Sequence, residues 1–183
     1  MAFDISNGLI QPARWVASPN YSARPSAGDI SLLVVHNISL PPGEFGGGHV
    51  EAFFQNRLDT SLHPYFAAIA ELQVSAHCLI DRAGLLVQFV NLYERAWHAG
   101  VSSFEGRPNC NDYSIGIELE GTDELAFTAA QYQTLAALAR ALMAEFPLIT
   151  PARIVGHSHI APGRKTDPGP AFDWDYFHGI LSP

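Results

Sequence analysis

The chain has 183 residues, 48% of them hydrophobic and 15% charged, which fits one globular domain with a sizeable core and argues against disorder. A formal net charge of −8 leaves no diffuse basic surface for nucleic acid or anionic lipid. No run of about 18 apolar residues is present, so a membrane span is excluded.

The first residues, Met1-Ala2-Phe3-Asp4-Ile5-Ser6-Asn7, lack the basic start, apolar stretch and cleavage site of an export signal. Residues 1–29, rich in Pro, Ser, Ala and Asn, are expected to form an extended lead-in to a domain covering 30–183. Residues 30–36 are a continuous apolar run, the mark of a central strand, and 39–48 form a Pro/Gly loop long enough to cover a site. Residues 50–58 and 64–72 read as helices. Residues 74–80 and 85–90 read as the two strands of a hairpin, turned by Asp81-Arg82-Ala83-Gly84. Cys78 falls within this apolar hairpin and is expected in the core. It and Cys110 do not make a disulfide framework, and with the missing export signal they suggest a reducing cytoplasm.

Further along, 95–99 reads as a short strand, 101–111 as a polar loop and 114–119 as another strand. The clearest helix is 128–146: Thr128 and Gln131 form a capping-box pattern, Tyr132, Leu135, Ala139 and Leu142 share a face, and Pro147 ends it. Asp173 is a candidate cap for a closing helix that runs to Leu181. A hairpin combined with strand–helix alternation predicts an α/β fold, a single domain with a central mixed β-sheet flanked by helices.

The chemistry concentrates in the 156–170 loop. Ile154-Val155 feeds it like the end of a buried strand, so His157 emerges at a sheet edge, and Asp167 lies ten residues on. The same loop holds Lys165, the chain's only lysine. His36 ends the 30–36 strand and is a plausible third ligand. Two imidazoles and one carboxylate, with a fourth position open, match the ligand arithmetic of catalytic zinc, whereas magnesium and calcium prefer oxygen. Taken singly, a strand-end histidine is more often structural than a ligand.

The motifs Val34-Val35-His36-Asn37, Leu40-Pro41-Pro42-Gly43-Glu44-Phe45-Gly46-Gly47, Ser114-Ile115-Gly116-Ile117-Glu118-Leu119-Glu120-Gly121 and the 156–170 loop change that balance. They resemble the zinc-dependent N-acetylmuramoyl-L-alanine amidases, most closely the type acting on 1,6-anhydro-muropeptides in peptidoglycan recycling. The resemblance runs from about Trp15 to Trp174. It implies the fold shared with peptidoglycan-recognition proteins, one Zn2+ per chain on His36, His157 and Asp167, and a small-molecule muropeptide substrate, with no oligomer required. It also implies Glu118 as general acid/base and Lys165 as oxyanion stabiliser. Glu120, two residues along the same strand face, is the rival base. The bland reading puts both glutamates on a solvated face.

Asn37, Trp97, His98 and Arg164 are candidate substrate contacts; Trp97 would offer an apolar ring to the sugar. His77 is divided between substrate contact and a buried, hydrogen-bonded role. One departure stands out: His159 occupies a position where the family pattern Gly-His-Ser-Asp-Ile-Ala-Pro has aspartate, which puts the tuning of the metal in question. The alternatives are an envelope amidase acting on intact peptidoglycan, and a non-catalytic peptidoglycan-binding module of the same fold.

Overall fold

The Leu32–Ile38 and Ser114–Glu120 strands lie side by side in parallel, with Leu32 opposite Ser114 and Ile38 opposite Glu120. Residues 32–35 read as an unbroken apolar run, whereas Ser114–Glu120 alternates Ile115, Ile117 and Leu119 with Gly116, Glu118 and Glu120, although every one of its residues is buried. A computed structural model describes residues 2–181; Met1, Ser182 and Pro183, the outermost residues of the expected lead-in and domain, lie outside them. Among the described residues the main sheet has six strands in the order Ile154–Gly156, Leu32–Ile38, Ser114–Glu120, Cys78–Ile80, Leu86–Gln88, Arg14–Trp15. Only the Cys78–Ile80/Leu86–Gln88 pair is antiparallel, so the sheet is mixed, as expected.

One face packs on the helix Ala129–Glu145, where Leu135, Leu138 and Leu142 meet Leu33, Val35, Ile115, Ile117 and Leu119. The expected capping box is formed: the Gln131 N–H donates to Thr128 Oγ1 at 3.1 Å, and the Thr128 N–H donates to Gln131 Oε1 at 3.0 Å. Asp173 caps the closing helix Trp174–Leu181 through the Tyr176 N–H at 2.8 Å. The helices His49–Phe54 and Pro64–Ile69 build a second apolar cluster, in which Val50, Phe53, Phe54 and Phe66 meet Val87 and Phe89. Each is shorter than its sequence pattern suggests.

Residues 2–29, expected as an extended lead-in, contribute strands and core residues to the fold. Asp4–Ser6 and Leu9–Gln11 form a hairpin across Asn7-Gly8, both with positive φ, and Ile10 enters the main core. Arg14–Trp15 then adds the parallel edge strand beside Leu86–Gln88, and Tyr21–Ser22 pairs with Arg95–Ala96. Asn-Gly between two alternating runs is the strongest short hairpin signal a sequence carries, and here it outweighs the Pro/Ser-rich composition around it. Within the 101–111 loop a similar small hairpin forms, Ser103–Phe104 with Arg107–Pro108.

Candidate metal centre and catalytic cleft

Strand register assembles the site. His36 stands opposite Glu118 on the next strand, and Val35 stands opposite Gly156 on the other side, so His157 follows one step later. Side chains in register on adjacent strands point to the same face. His157, His36 and Glu118 therefore form a row at the carboxyl ends of three parallel strands, the place where open α/β sheets bind ligands. The chain then turns through the short helix His157–Ile160 and returns Asp167 to the row.

His36 Nδ1 lies 3.0 Å from His157 Nδ1 and 3.0 Å from Asp167 Oδ2, and His157 Nδ1 lies 3.1 Å from that oxygen. The two histidines are buried and the aspartate is partly buried. His157 Nε2 faces the carbonyl of Ala99 at 3.1 Å, and a carbonyl only accepts, so Nε2 carries the proton and Nδ1 is a bare lone pair. Burial lowers His36 to about 4, leaving it a neutral imidazole with a single proton near pH 7. Burial alone would raise the Asp167 carboxyl, but the neighbouring His157 and His36 outweigh that and hold it well below the usual range. At least one edge of the triangle is thus acceptor against acceptor, an arrangement that a cation relieves. Tetrahedral zinc with bonds of roughly 2.0–2.2 Å separates its ligands by roughly 3.3–3.6 Å, so the three atoms need only small movements to fit it.

A cavity of about 440 Å³ opens beside the triangle and is lined by His36, Asn37, His98, Glu118, Asp123, His157, Lys165 and Asp167 on its polar side. Glu118 is buried and its Oε2 has no hydrogen-bond partner. Burial first, and then the charge of Asp167, push its carboxyl well above the usual range, while Lys165 pulls it back. Glu120 is buried too, so neither glutamate lies on a solvated face. Its carboxylate is occupied, however: Oε1 accepts the Gly46 N–H at 2.5 Å and Oε2 the Arg82 N–H at 3.3 Å. It ties the 39–48 loop to the sheet, away from the cavity lining.

The remaining candidates divide. Asn37 lines the cavity while donating to Asp123 Oδ1 at 2.7 Å and to the Pro168 carbonyl at 3.1 Å. His98 also lines it, with Nδ1 2.9 Å from His36 Nε2. Trp97 is not among the lining residues; just beyond the Arg95–Ala96 strand, its indole N–H donates to Ser22 Oγ of the N-terminal segment at 3.3 Å. Nor is Arg164, whose guanidinium is spent on the carbonyls of Ala99 and Val101 at 2.6 and 2.8 Å. The apolar wall comes instead from Phe53, Tyr65, Ile69, Leu72 and Val74. Their signal was present in the sequence as helix-spaced apolar residues, without anything to say which face they would turn to the cleft.

His77 is the buried, hydrogen-bonded histidine: Nδ1 accepts the Gly116 N–H at 3.0 Å and Nε2–H donates to the Glu94 carbonyl at 3.1 Å. Burial, then Arg24, lower it to about 3. His159 points away from the ligands. Its Nδ1 accepts the Gly156 N–H at 2.9 Å, the reach-back bond of a capping box, and its ring meets Trp174 edge-on. The imidazole thus performs a capping task at the start of the His157–Ile160 turn that a short carboxylate can also perform.

Comparison with known proteins agrees with this geometry. Residues 26–170 match the family described as N-acetylmuramoyl-L-alanine amidase. The chain is 58% identical to the 1,6-anhydro-N-acetylmuramyl-L-alanine amidase AmpD of Citrobacter freundii, covering 98% of this chain and 95% of that protein. It is likewise 58% identical to the AmpD of Escherichia coli, with 97% of each chain covered. A crystal structure of selenomethionine AmpD superposes with a TM-score of 0.94 at 58% identity over 97% of this chain and 99% of that one. The amidase AmiD of Escherichia coli, solved with anhydro-N-acetylmuramic acid-L-Ala-D-γ-Glu-L-Lys, superposes with a TM-score of 0.61 at 30% identity over 98% of this chain and 65% of that one. With its histidine–histidine–aspartate triangle and buried glutamate at one sheet edge, the chain belongs to the N-acetylmuramoyl-L-alanine amidase family.

Proposed function

We propose that this chain hydrolyses the amide bond between the lactyl carbonyl of 1,6-anhydro-N-acetylmuramic acid and L-alanine in small muropeptides, as a step in peptidoglycan recycling. His36, His157 and Asp167 would hold one zinc ion per chain. The observation that carries the reading is the convergence of those three ligand atoms beside a buried carboxylate with an unpaired oxygen. Every group invoked comes from one chain, so no oligomer is needed. A cytoplasmic setting belongs to the same reading and is supported by two free, buried cysteines. Among the described residues no helix is long and apolar enough to cross a membrane.

Bound in this site, zinc supplies Lewis acidity and lowers the pKa of water from 15.7 to about 7. Glu118 accepts the proton of the attacking water and returns one to the departing amine nitrogen of L-alanine. Its raised pKa suits both tasks, since it keeps the group closer to the working pH. Lys165, the one ammonium on the cavity wall, faces the negative charge that develops on the carbonyl oxygen. The Tyr65, Ile69 and Leu72 wall, not Trp97, is the surface on which the compact anhydro sugar would rest.

The test is a mass-spectrometric comparison of anhydro-muropeptides, reducing-end muropeptides and intact sacculi. An apolar pocket distinguishes small group changes by roughly 10–200-fold. A preference of that order for the anhydro form, with little release from sacculi, is expected. Comparable rates on sacculi would make this an envelope-type amidase, and cleavage of none of the three would make it a binding module.

Lys165 is separable by kinetics. Lys165→Ala is expected to lower kcat by roughly 10²–10³-fold with little change in KM, because the charge it meets exists only along the reaction path. An unchanged kcat with a raised KM would make Lys165 a substrate anchor instead. The same variant should shift the acid limb of the pH–rate profile upward, because it removes the charge that pulls the Glu118 carboxyl down.

A further inference from the structure

We infer that His98 is a positioning residue for His36, holding the plane of its ring and accepting its Nε2 proton so that a bare Nδ1 faces His157 and Asp167. The inference rests on the metal-centre reading above, and it concerns side chains outside the ligand set.

Three side chains form a line that runs from the cleft into the core, ending at the buried Ser114. His36 Nε2 lies 2.9 Å from His98 Nδ1, and His98 Nε2 lies 3.2 Å from Ser114 Oγ. The two rings meet edge to face, with centroids 5.0 Å apart and planes at 83°. A ligating imidazole is held in one orientation and tautomer by whatever its other nitrogen touches. For His157 the nearest partner is the Ala99 carbonyl at 3.1 Å, which can only accept and so favours a proton on Nε2. His36 differs: its partner is a second imidazole that can donate or accept, backed by a hydroxyl that can do either.

Two hydrogen-bond patterns therefore fit the same atoms. In the metal-free site, His36 Nδ1–H donates to Asp167, His98 Nδ1–H donates to His36 Nε2, and the Ser114 hydroxyl donates to His98 Nε2. With a cation in the triangle, His36 Nε2–H donates to His98 Nδ1 and His98 Nε2–H donates to Ser114 Oγ. Each imidazole carries one proton in both patterns, so the exchange creates no buried charge. A carbonyl in place of His98 would permit only the second pattern and leave Asp167 facing two lone pairs in the empty site.

The surroundings are built for this ring. Gly116 lies beneath it: a Cβ there would come within 2.4 Å of His98 Cγ, so any side chain at 116 would displace the imidazole. Asn111 Oδ1 accepts both the His98 N–H at 3.1 Å and the Ala99 N–H at 2.8 Å. One amide oxygen thus holds both the residue that backs His36 and the residue whose carbonyl backs His157. Arg24, buried, in turn donates to the main-chain carbonyls of Asn111 and Ser114 at 3.1 and 2.8 Å.

The test combines a competition titration of zinc with nitrogen-resolved NMR of the histidine rings in wild type, His98→Leu, His98→Asn and Ser114→Ala. In wild type the His36 proton should move from Nδ1 in metal-free protein to Nε2 in zinc-loaded protein. His98→Leu should weaken zinc binding by roughly 10–100-fold. His98→Asn, whose amide oxygen can stand where Nδ1 stood, should recover most of that loss, and Ser114→Ala should fall between. A purely structural role would not distinguish Asn from Leu. Wild-type zinc affinity in His98→Leu, or an Asn variant no better than Leu, overturns the inference. If the Leu variant does not fold, the wild-type tautomer exchange and the Ser114→Ala affinity decide it. A wild type that binds no zinc overturns the metal reading and this inference with it, whereas tight wild-type binding with no effect of these changes overturns this inference alone.

Discussion

Glu118→Gln is expected to reduce turnover by roughly 10²–10⁴-fold while leaving the histidine–histidine–aspartate triangle intact, the range typical of losing a general acid/base. The amide keeps the shape of the side chain and removes only the capacity to take and return a proton. Glu120→Gln should lose far less activity and instead loosen the 39–48 loop, because it weakens the bonds that accept the Gly46 and Arg82 N–H groups. Parallel measurement of kcat, zinc content and thermal unfolding separates the two. Loss of turnover in Glu120→Gln with a near-normal Glu118→Gln would reverse the assignment.

The pH dependence adds a sign. The folded-state pKa of Glu118 is raised, so the folded protein binds this proton more tightly than the unfolded chain does. Its contribution to stability is therefore greatest in acid and is lost as pH rises from the ordinary glutamate range through the raised value. Glu118→Gln lacks that loss, so the stability of the metal-free variant relative to metal-free wild type should grow with pH across the window. Activity should run the opposite way, with the wild-type rate rising as Glu118 ionises, and a catalytic residue that costs stability at its working pH is a common feature of active sites.

This contrast between the two glutamates also marks how far the sequence could be read. Alternation along 114–120 puts Glu118 and Glu120 on one face, and local pattern alone cannot choose between them. The choice comes from neighbours distant in the chain: His36 opposite Glu118, and Gly46 and Arg82 around Glu120. His36 and His157 were legible because each follows an apolar run inside a long motif, although the strand that carries His36 continues to Ile38. The N-terminal hairpin was legible through Asn7-Gly8 but was masked by Pro/Ser-rich composition. Trp97 and Arg164 show the opposite limit, since residue type suggested a role in the cleft and tertiary bonding turned both side chains to other partners. The His36–His98–Ser114 line has no sequence signature at all, because it joins three segments whose proximity exists only in the folded sheet.

Withdrawal of the metal is expected to abolish turnover and zinc readdition to restore it, at one zinc per chain, while the fold persists. The strands that present the ligands are held by the Ala129–Glu145 helix packed on one side of the sheet and by an apolar cluster of Leu32, Val34, Ala99, Cys110, Tyr113 and Ile160 elsewhere, so the sheet does not depend on the ion for its existence. What changes is local. With His157 Nδ1 bare, the metal-free triangle sets its lone pair against the Asp167 carboxylate at 3.1 Å, and filling the triangle removes that repulsion. A ligand that binds only the folded state adds about 4 kcal/mol at about a thousand times its dissociation constant, so zinc loading should raise Tm accordingly. Asp167→Asn should weaken both effects, because an amide oxygen is a poorer and uncharged ligand. Turnover, metal content and Tm measured on the same chelated and reloaded samples check the three together. Full activity in metal-free protein, or a Tm indifferent to zinc, would remove the metal centre from this reading of the site.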